Sequence, residues 1–289
     1  MKIGLLGGQN IARYSVADVL WEKISEISEI KLSFEFIPTN NFTELCGFYW
    51  RFCEDKEFIG FNIALPWKEK IISLVNSSER QVKDLNSVNV VYRKDNFIYS
   101  SNTDVIGLER SLSQSRGDLS TANILIIGAG GAGLPSAIYL AQKYKCPISI
   151  YDLRRKEIFD KDCINFINDY SKLADNTYNV IINATPVGKY YLDEFPDQFS
   201  MPISINVLDK ITTEASILIE MNYFPYETEF LKFANFKKIK AVSGINMLVY
   251  QALESMRLYT GYIFNENDSL QIIEFMKNYV LIKENELLR

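Results

Sequence analysis

The chain has 289 residues, 47% of them apolar and 23% charged, with 18 Phe and 17 Tyr; it has room for two domains with cores of their own, and the composition is not that of a disordered chain. A net charge of −5, with the basic residues scattered rather than massed, gives no nucleic-acid surface, and no apolar run reaches the length of a membrane span. There is no histidine, and Cys46, Cys53, Cys146 and Cys163 show neither a CxxC nor clustered ligand spacing, so no metal site is expected.

Free thiols, and a start "MKIGLLGGQN" too short in apolar residues for an export signal, point to the cytoplasm. Along the first hundred residues, strand-like and helix-like patterns alternate. "KIGLLG" reads as a strand, "SVADVLWEKISEI" as a helix, "IKLSFEFIP" as a strand, "FTELCGFYWRFCEDK" as a helix and "FIGFNIAL" as a third strand. Strands separated by helices predict a mostly parallel sheet.

The third strand stops at "LPWKE", which puts Lys68 where a cleft above a parallel sheet forms. In a chain without imidazole, a lysine in a partly desolvated place is a candidate proton carrier. Asp104, in "SSNTDVIG", opens a helix over residues 103 to 118 and can orient the ammonium. Read alone, each residue is better taken as an ordinary charge near a helix start.

A second series begins near residue 120. "NILIIGAGGAGLPSAIYLAQKY" is a buried strand, a glycine turn and a helix, with Gly128, Gly130 and Gly133 in the GxGxxG pattern and Pro135 in the first helical turn. Gly128 allows the tight turn, Gly130 the approach of a diphosphate, and Gly133 close packing of helix on strand. Asp152 ends the next strand, "PISIYDLRRKE", and can accept both ribose hydroxyls of NAD; Arg154 and Arg155 follow and can instead pair with the 2′-phosphate of NADP. NAD is the favoured expectation. "YNVIINATPVG" and "ASILIEMNYFP" read as further strands, and two helical patterns close the chain after "KIKAVSG". The tail is expected to pack back on the first domain.

Taken in order, these segments resemble the shikimate/quinate dehydrogenase family. "NIALPWKE" is similar to its N-V-T-I-P-H-K-E, with Asn62 on the leading asparagine and Lys68 on the catalytic lysine. "SVNVV" resembles A-V-N-T-V and "SNTDVIG" resembles N-T-D-x-x-G, giving Asn89 a substrate role and Asp104 the catalytic carboxylate. "GAGGAG", with Gly131 between the other glycines, matches the cofactor loop, and "NATPVG", with Asn183 and Thr185, the segment beside the nicotinamide. "NYFPYETEFL" resembles Y-N-P-x-E-T-x-L-L, with Tyr223 on its tyrosine. "GINMLVYQA" resembles G-x-x-M-L-V-x-Q-A, with Gly244 and Met247 on the cofactor side and Gln251 on substrate.

The resemblance implies an α/β chain of two domains with a cleft between them. Residues 1–104 with 246–289 would form the substrate domain and residues 105–245 a Rossmann domain. It further implies an NAD(P)-dependent reduction of a ring ketone on a small cyclic hydroxy acid, in a monomer or homodimer, with no nucleic-acid or membrane partner.

Departures from the family pattern cluster. Where the family has H-S-x-S-P the chain has "ARYSV", so Arg13 replaces the first serine and only Ser15 keeps a hydroxyl. Ala64 and Val90 stand for threonines, Trp67 for a histidine and Lys189 for a methionine. In family terms the reacting end is intact and the carboxylate end rebuilt. Either Arg13 reaches the same carboxylate, or the substrate is a quinate, amino or other relative of shikimate. A cofactor-binding regulatory protein without turnover is the alternative from another class.

Overall fold

The computed structural model describes residues 1–75, 84–153, 163–189 and 200–287. The chain divides into two compact units, residues 1–106 with 249–272 and residues 107–248 with 273–289. The sequence boundaries, at 104/105 and 245/246, put all of residues 246–289 with the first unit, whereas the structure groups 273–289 with the second.

In the first unit, strands β1 (Lys2–Gly7), β2 (Ser33–Pro38) and β3 (Phe58–Ile63) are parallel, with β1 central among them. Helices α1 (Ile11–Tyr14) and α2 (Ala17–Ser28) join β1 to β2, and α3 (Phe42–Glu54) joins β2 to β3. Asn41 caps α3 through its side chain, which accepts from Glu44 N at 3.0 Å, and the Glu44 carboxylate reaches back to accept from the Asn40 N–H, one residue before the cap. Phe48 and Phe52 of α3 meet Phe58 and Phe61 of β3 edge-to-face at 4.9–5.8 Å and fasten the helix to the strand.

The sheet is mixed rather than mostly parallel. Strands β4 (Val90–Lys94) and β5 (Phe97–Ser101) form a hairpin that runs antiparallel to β3, giving the order β2-β1-β3-β4-β5. Its two-residue loop is Asp95–Asn96, both with positive φ (49° and 65°), as a turn matching the right-handed strand twist requires. Helix α4 (Thr103–Arg116) follows and ends at Gly117, whose φ is +82°.

The second unit carries β6 (Ile124–Ile127), β7 (Ile148–Tyr151), β8 (Ile164–Ile167), β9 (Val180–Asn183), β10 (Ile217–Glu220) and β11 (Lys240–Val242). All pair in parallel in the order β11-β10-β9-β6-β7-β8, the doubly wound arrangement. Burial on both faces explains why β6, β7, β9 and β10 read as largely apolar runs. Ile124, Ile126, Ile150 and Ile182 pack with Ala137 and Leu140 of α5 (Gly133–Tyr144). The alternate residues Leu125, Ile127, Ile181 and Leu218 pack with Leu208 of α6 (Ile205–Ile211) and Phe230 and Leu231 of α7 (Glu229–Phe236). The strand β8 lies in "CINFIND", a stretch too short and too polar on alternate residues to show in the sequence. Helices α8 (Gly244–Thr260) and α9 (Glu266–Leu287) end the chain. No helix among the described residues is long and apolar enough to cross a membrane.

Candidate active site

Lys68 is presented by a segment that is fixed on both sides. Ala64 N donates to Leu6 O at 2.7 Å, and Val88 N donates to Lys68 O at 2.9 Å. Trp67 turns into the core, 2% exposed, with its indole N–H on Thr39 O at 3.2 Å. Lys68 turns the other way, and its Nζ lies 2.5 Å from Asp104 Oδ2, with the two side chains 15% and 12% exposed. Asp104 sits in the first turn of α4, where Asn102 Oδ1 caps the helix by accepting from Asp104 N at 3.1 Å and Val105 N at 3.4 Å. A carboxylate there is favoured by the positive end of the helix dipole.

Around the pair runs a buried chain of neutral polar groups. Asn89 Oδ1 accepts from Thr103 N at 2.6 Å and its Nδ2 donates to Thr103 Oγ1 at 3.0 Å, so it grips the residue before Asp104. Thr103 Oγ1 donates to Gln251 Oε1 at 3.4 Å and lies 3.0 Å from Ser255 Oγ. Ser255 takes a bond from Asn62 Nδ2 at 2.9 Å, and Tyr259 donates to Asn62 Oδ1 at 2.8 Å. Lys68, Asp104, Asn89 and Gln251 are thereby brought together at the start of α4. Thr103, Ser255 and Tyr259, which sequence reasoning did not name, set their orientation.

In the second unit the glycine turn follows β6 and opens α5, at the point where the strand order reverses between β6 and β9. A Cβ on Gly130 would meet nothing within 4 Å, whereas one on Gly133 would stand 2.0 Å from Gly128 O and 3.0 Å from Ala184 Cβ. Gly128 has φ +101°, and a Cβ on it would stand 2.8 Å from Thr185 Cγ2. The turn and the 183–188 segment are thus in van der Waals contact, and Gly130 presents bare backbone to open space. Ala132, at the N-cap of α5, has no side-chain acceptor for the first N–H groups of the helix. These features fit a dinucleotide diphosphate.

Asp152 is half-buried, and its Oδ2 accepts from Ala129 N at 2.6 Å. One carboxylate oxygen therefore fastens the glycine turn. Arg154 and Arg155 lie outside the described residues. Asn183 Oδ1 accepts from Thr185 N and Oγ1 at 3.1 and 2.7 Å, which folds the start of the "NATPVG" segment. Gly244 packs on the loop after β10, where a Cβ would stand 2.3 Å from Asn222 O, and Met247 is 8% exposed in the core beside α5. Tyr223 is half-buried with Lys189 Nζ 5.9 Å from its ring centroid.

A shikimate dehydrogenase (NADP(+)) of Staphylococcus haemolyticus is 33% identical over 228 residues, 78% of this chain and 80% of its own length. The chain belongs to the shikimate dehydrogenase family. Another such enzyme, from Methanococcus aeolicus, is 32% identical over 210 residues, 70% of this chain and 72% of its own. The crystal structure of a chorismate mutase/shikimate 5-dehydrogenase fusion protein from Clostridium acetobutylicum superposes with a TM-score of 0.84 at 25% identity, over 96% of this chain and 98% of that one. No protein-family model matches the chain. As a shikimate dehydrogenase-like protein it is an oxidoreductase of the CH–OH group with a Rossmann unit for NAD(P). The NADP(+) in the names of these relatives does not support the preference for NAD expected from Asp152.

The departures of this shikimate dehydrogenase-like chain take different structural places. Trp67 is a core anchor, and Val90 is fully buried in β4, paired with Ser101. Ser15 is 8% exposed, and its Oγ accepts from Ala17 N at 3.2 Å at the start of α2. Arg13 is exposed at the end of the short α1, and its guanidinium has no partner among the described residues.

Proposed function

We propose that the chain catalyses the reversible, NADP-dependent reduction of a shikimate-like ring ketone, 3-dehydroshikimate in the first place. The observation that carries this is the Lys68–Asp104 pair, 2.5 Å apart and largely shielded from solvent, at the start of α4 with Asn89 and Gln251 in the adjoining hydrogen-bond network. The cofactor, held by the glycine turn and the 183–188 segment, supplies or accepts a hydride. The Lys68 ammonium gives a proton to the ketone oxygen, or takes it from the alcohol in reverse, and Asp104 keeps the amine directed at that oxygen. Asn89 and Gln251 bind ring hydroxyls, and the network behind them removes their rotational freedom before substrate arrives.

The test is the nicotinamide absorbance with shikimate, quinate and amino analogues, using NADP and then NAD. Turnover with shikimate and NADP is expected; cofactor binding with no absorbance change across the panel would instead support a regulatory protein. NADP is expected to show the lower KM of the two cofactors, because one oxygen of Asp152 is already engaged by the glycine turn and two arginines follow it. A lower KM for NAD overturns that choice.

Arg13 supports the carboxylate reading through its exposed guanidinium, which has no partner among the described residues. Charge-assisted hydrogen bonds contribute about 1.5–3 kcal/mol, so Arg13→Ala is expected to raise the substrate KM roughly 10–100-fold with kcat near that of the parent. Unchanged KM would make it a solvated loop residue and favour a substrate held in another way.

A further inference from the structure

Glu220, the last residue of β10, is 0% exposed and has no ion-pair partner among the described residues. Burying an unpaired carboxylate is costly unless every lone pair is used. Here the neighbours are all donors. Asn183 Nδ2 reaches both oxygens at 3.0 and 2.9 Å, Asn222 N and Nδ2 each reach Oε1 at 2.9 Å, and Thr228 Oγ1 reaches Oε2 at 2.9 Å. Burial pushes the carboxyl up to about 7 against these donors, which favour the charged form.

The donors join three separate pieces of chain. Asn183 ends β9, Asn222 lies in the loop after β10, and Thr228 caps α7. Two of them pass the restraint on: Asn222 Nδ2 donates to Thr185 O at 2.9 Å and Val187 O at 3.3 Å, and Asn183 holds the Thr185 N–H and hydroxyl. We propose that Glu220 is a positioning residue for the nicotinamide end of the cofactor site, its carboxylate holding the 183–188 segment and the Tyr223 loop in one arrangement. This rests on the reading of residues 183–188 as the segment beside the nicotinamide.

The test uses the full chain with Glu220→Gln, which puts an amide nitrogen where the site offers only donors. NADPH binding is followed by its fluorescence and compared with binding of 2′,5′-ADP, which lacks the nicotinamide. Expected are a rise of about tenfold or more in the Kd for NADPH, little change for 2′,5′-ADP, and partial recovery in Glu220→Asp, which keeps the charge. An unchanged Kd for NADPH, or equal losses for both ligands, overturns the proposal. If Glu220→Gln does not fold, Asn222→Ala decides, since it removes the Asn222 bonds to Thr185 O and Val187 O while leaving Asn183, which reaches Val187 O at 3.2 Å, and Thr228 on the carboxylate. The same selective loss for NADPH is then expected, and no loss overturns the proposal. A parent protein that binds neither ligand contradicts the cofactor reading itself, a different failure from that of Glu220.

Discussion

Replacing Lys68 by alanine is expected to lower turnover by roughly 10²–10⁴-fold, about 2.7–5.5 kcal/mol of barrier, with the Kd for NADPH nearly unchanged. The ammonium is the group proposed to move the proton, and it belongs to a different unit from the glycine turn. Truncation alone is ambiguous, because it also leaves Asp104 partly buried without its counter-ion. Lys68→Arg separates the two effects. Guanidinium keeps the ion pair but does not give up its proton at working pH. Lys68→Arg is therefore expected to melt like the parent and still lose at least about 100-fold in kcat. Parent-like turnover in the arginine variant would show that position 68 supplies charge and not a proton.

What could be read in the sequence, and what could not, follows from the range of the forces involved. The β6–turn–α5 unit was legible because its signals are local: an apolar run, glycines at fixed offsets and a helical period within about 20 residues. Lys68 and Asp104 were legible only through the order of motifs along the chain, since nothing in "LPWKE" or "SSNTDVIG" distinguishes two charges that meet from two surface charges. Of the network behind them, Thr103, Ser255 and Tyr259 were not legible at all. Asn62 meets Ser255 and Tyr259 across 193 and 197 residues, and no periodicity reports such a contact. The hairpin of β4 and β5 was missed because its turn is Asp–Asn rather than the usual glycine-containing pair. Trp67 and Glu220 show the same blindness to side-chain direction. A Trp beside the lysine looked like a change at the site and is a core anchor. Glu220 closes an apolar strand just as Asp152 follows one, and the difference between a buried hub and a half-buried strand end lies in tertiary packing.

Gly130 and Gly133 of the glycine turn are expected to fail in opposite ways. Gly130→Ala puts a methyl group into open space, with no atom within 4 Å to resist it, so the fold should be indifferent and the melting temperature should move little. In the proposed cofactor site that space takes the diphosphate, and the Kd for NADPH is expected to rise about tenfold or more, roughly 1.4 kcal/mol. Gly133→Ala meets backbone instead: its Cβ would stand 2.0 Å from Gly128 O and 3.1 Å from Gly128 C, neither of which is a flexible chain end. Helix α5 and the turn must separate to admit it. Overpacking of this kind costs about 1–3 kcal/mol in side-chain cores and more where backbone must shift, so a fall of roughly 5–10 °C in melting temperature is expected before any ligand is added. Thermal melts of both variants, with and without NADPH, resolve the two roles. If Gly130→Ala melted early, or if Gly133→Ala kept parent stability and lost only affinity, the turn would not have the close helix–strand contact on which the diphosphate site depends.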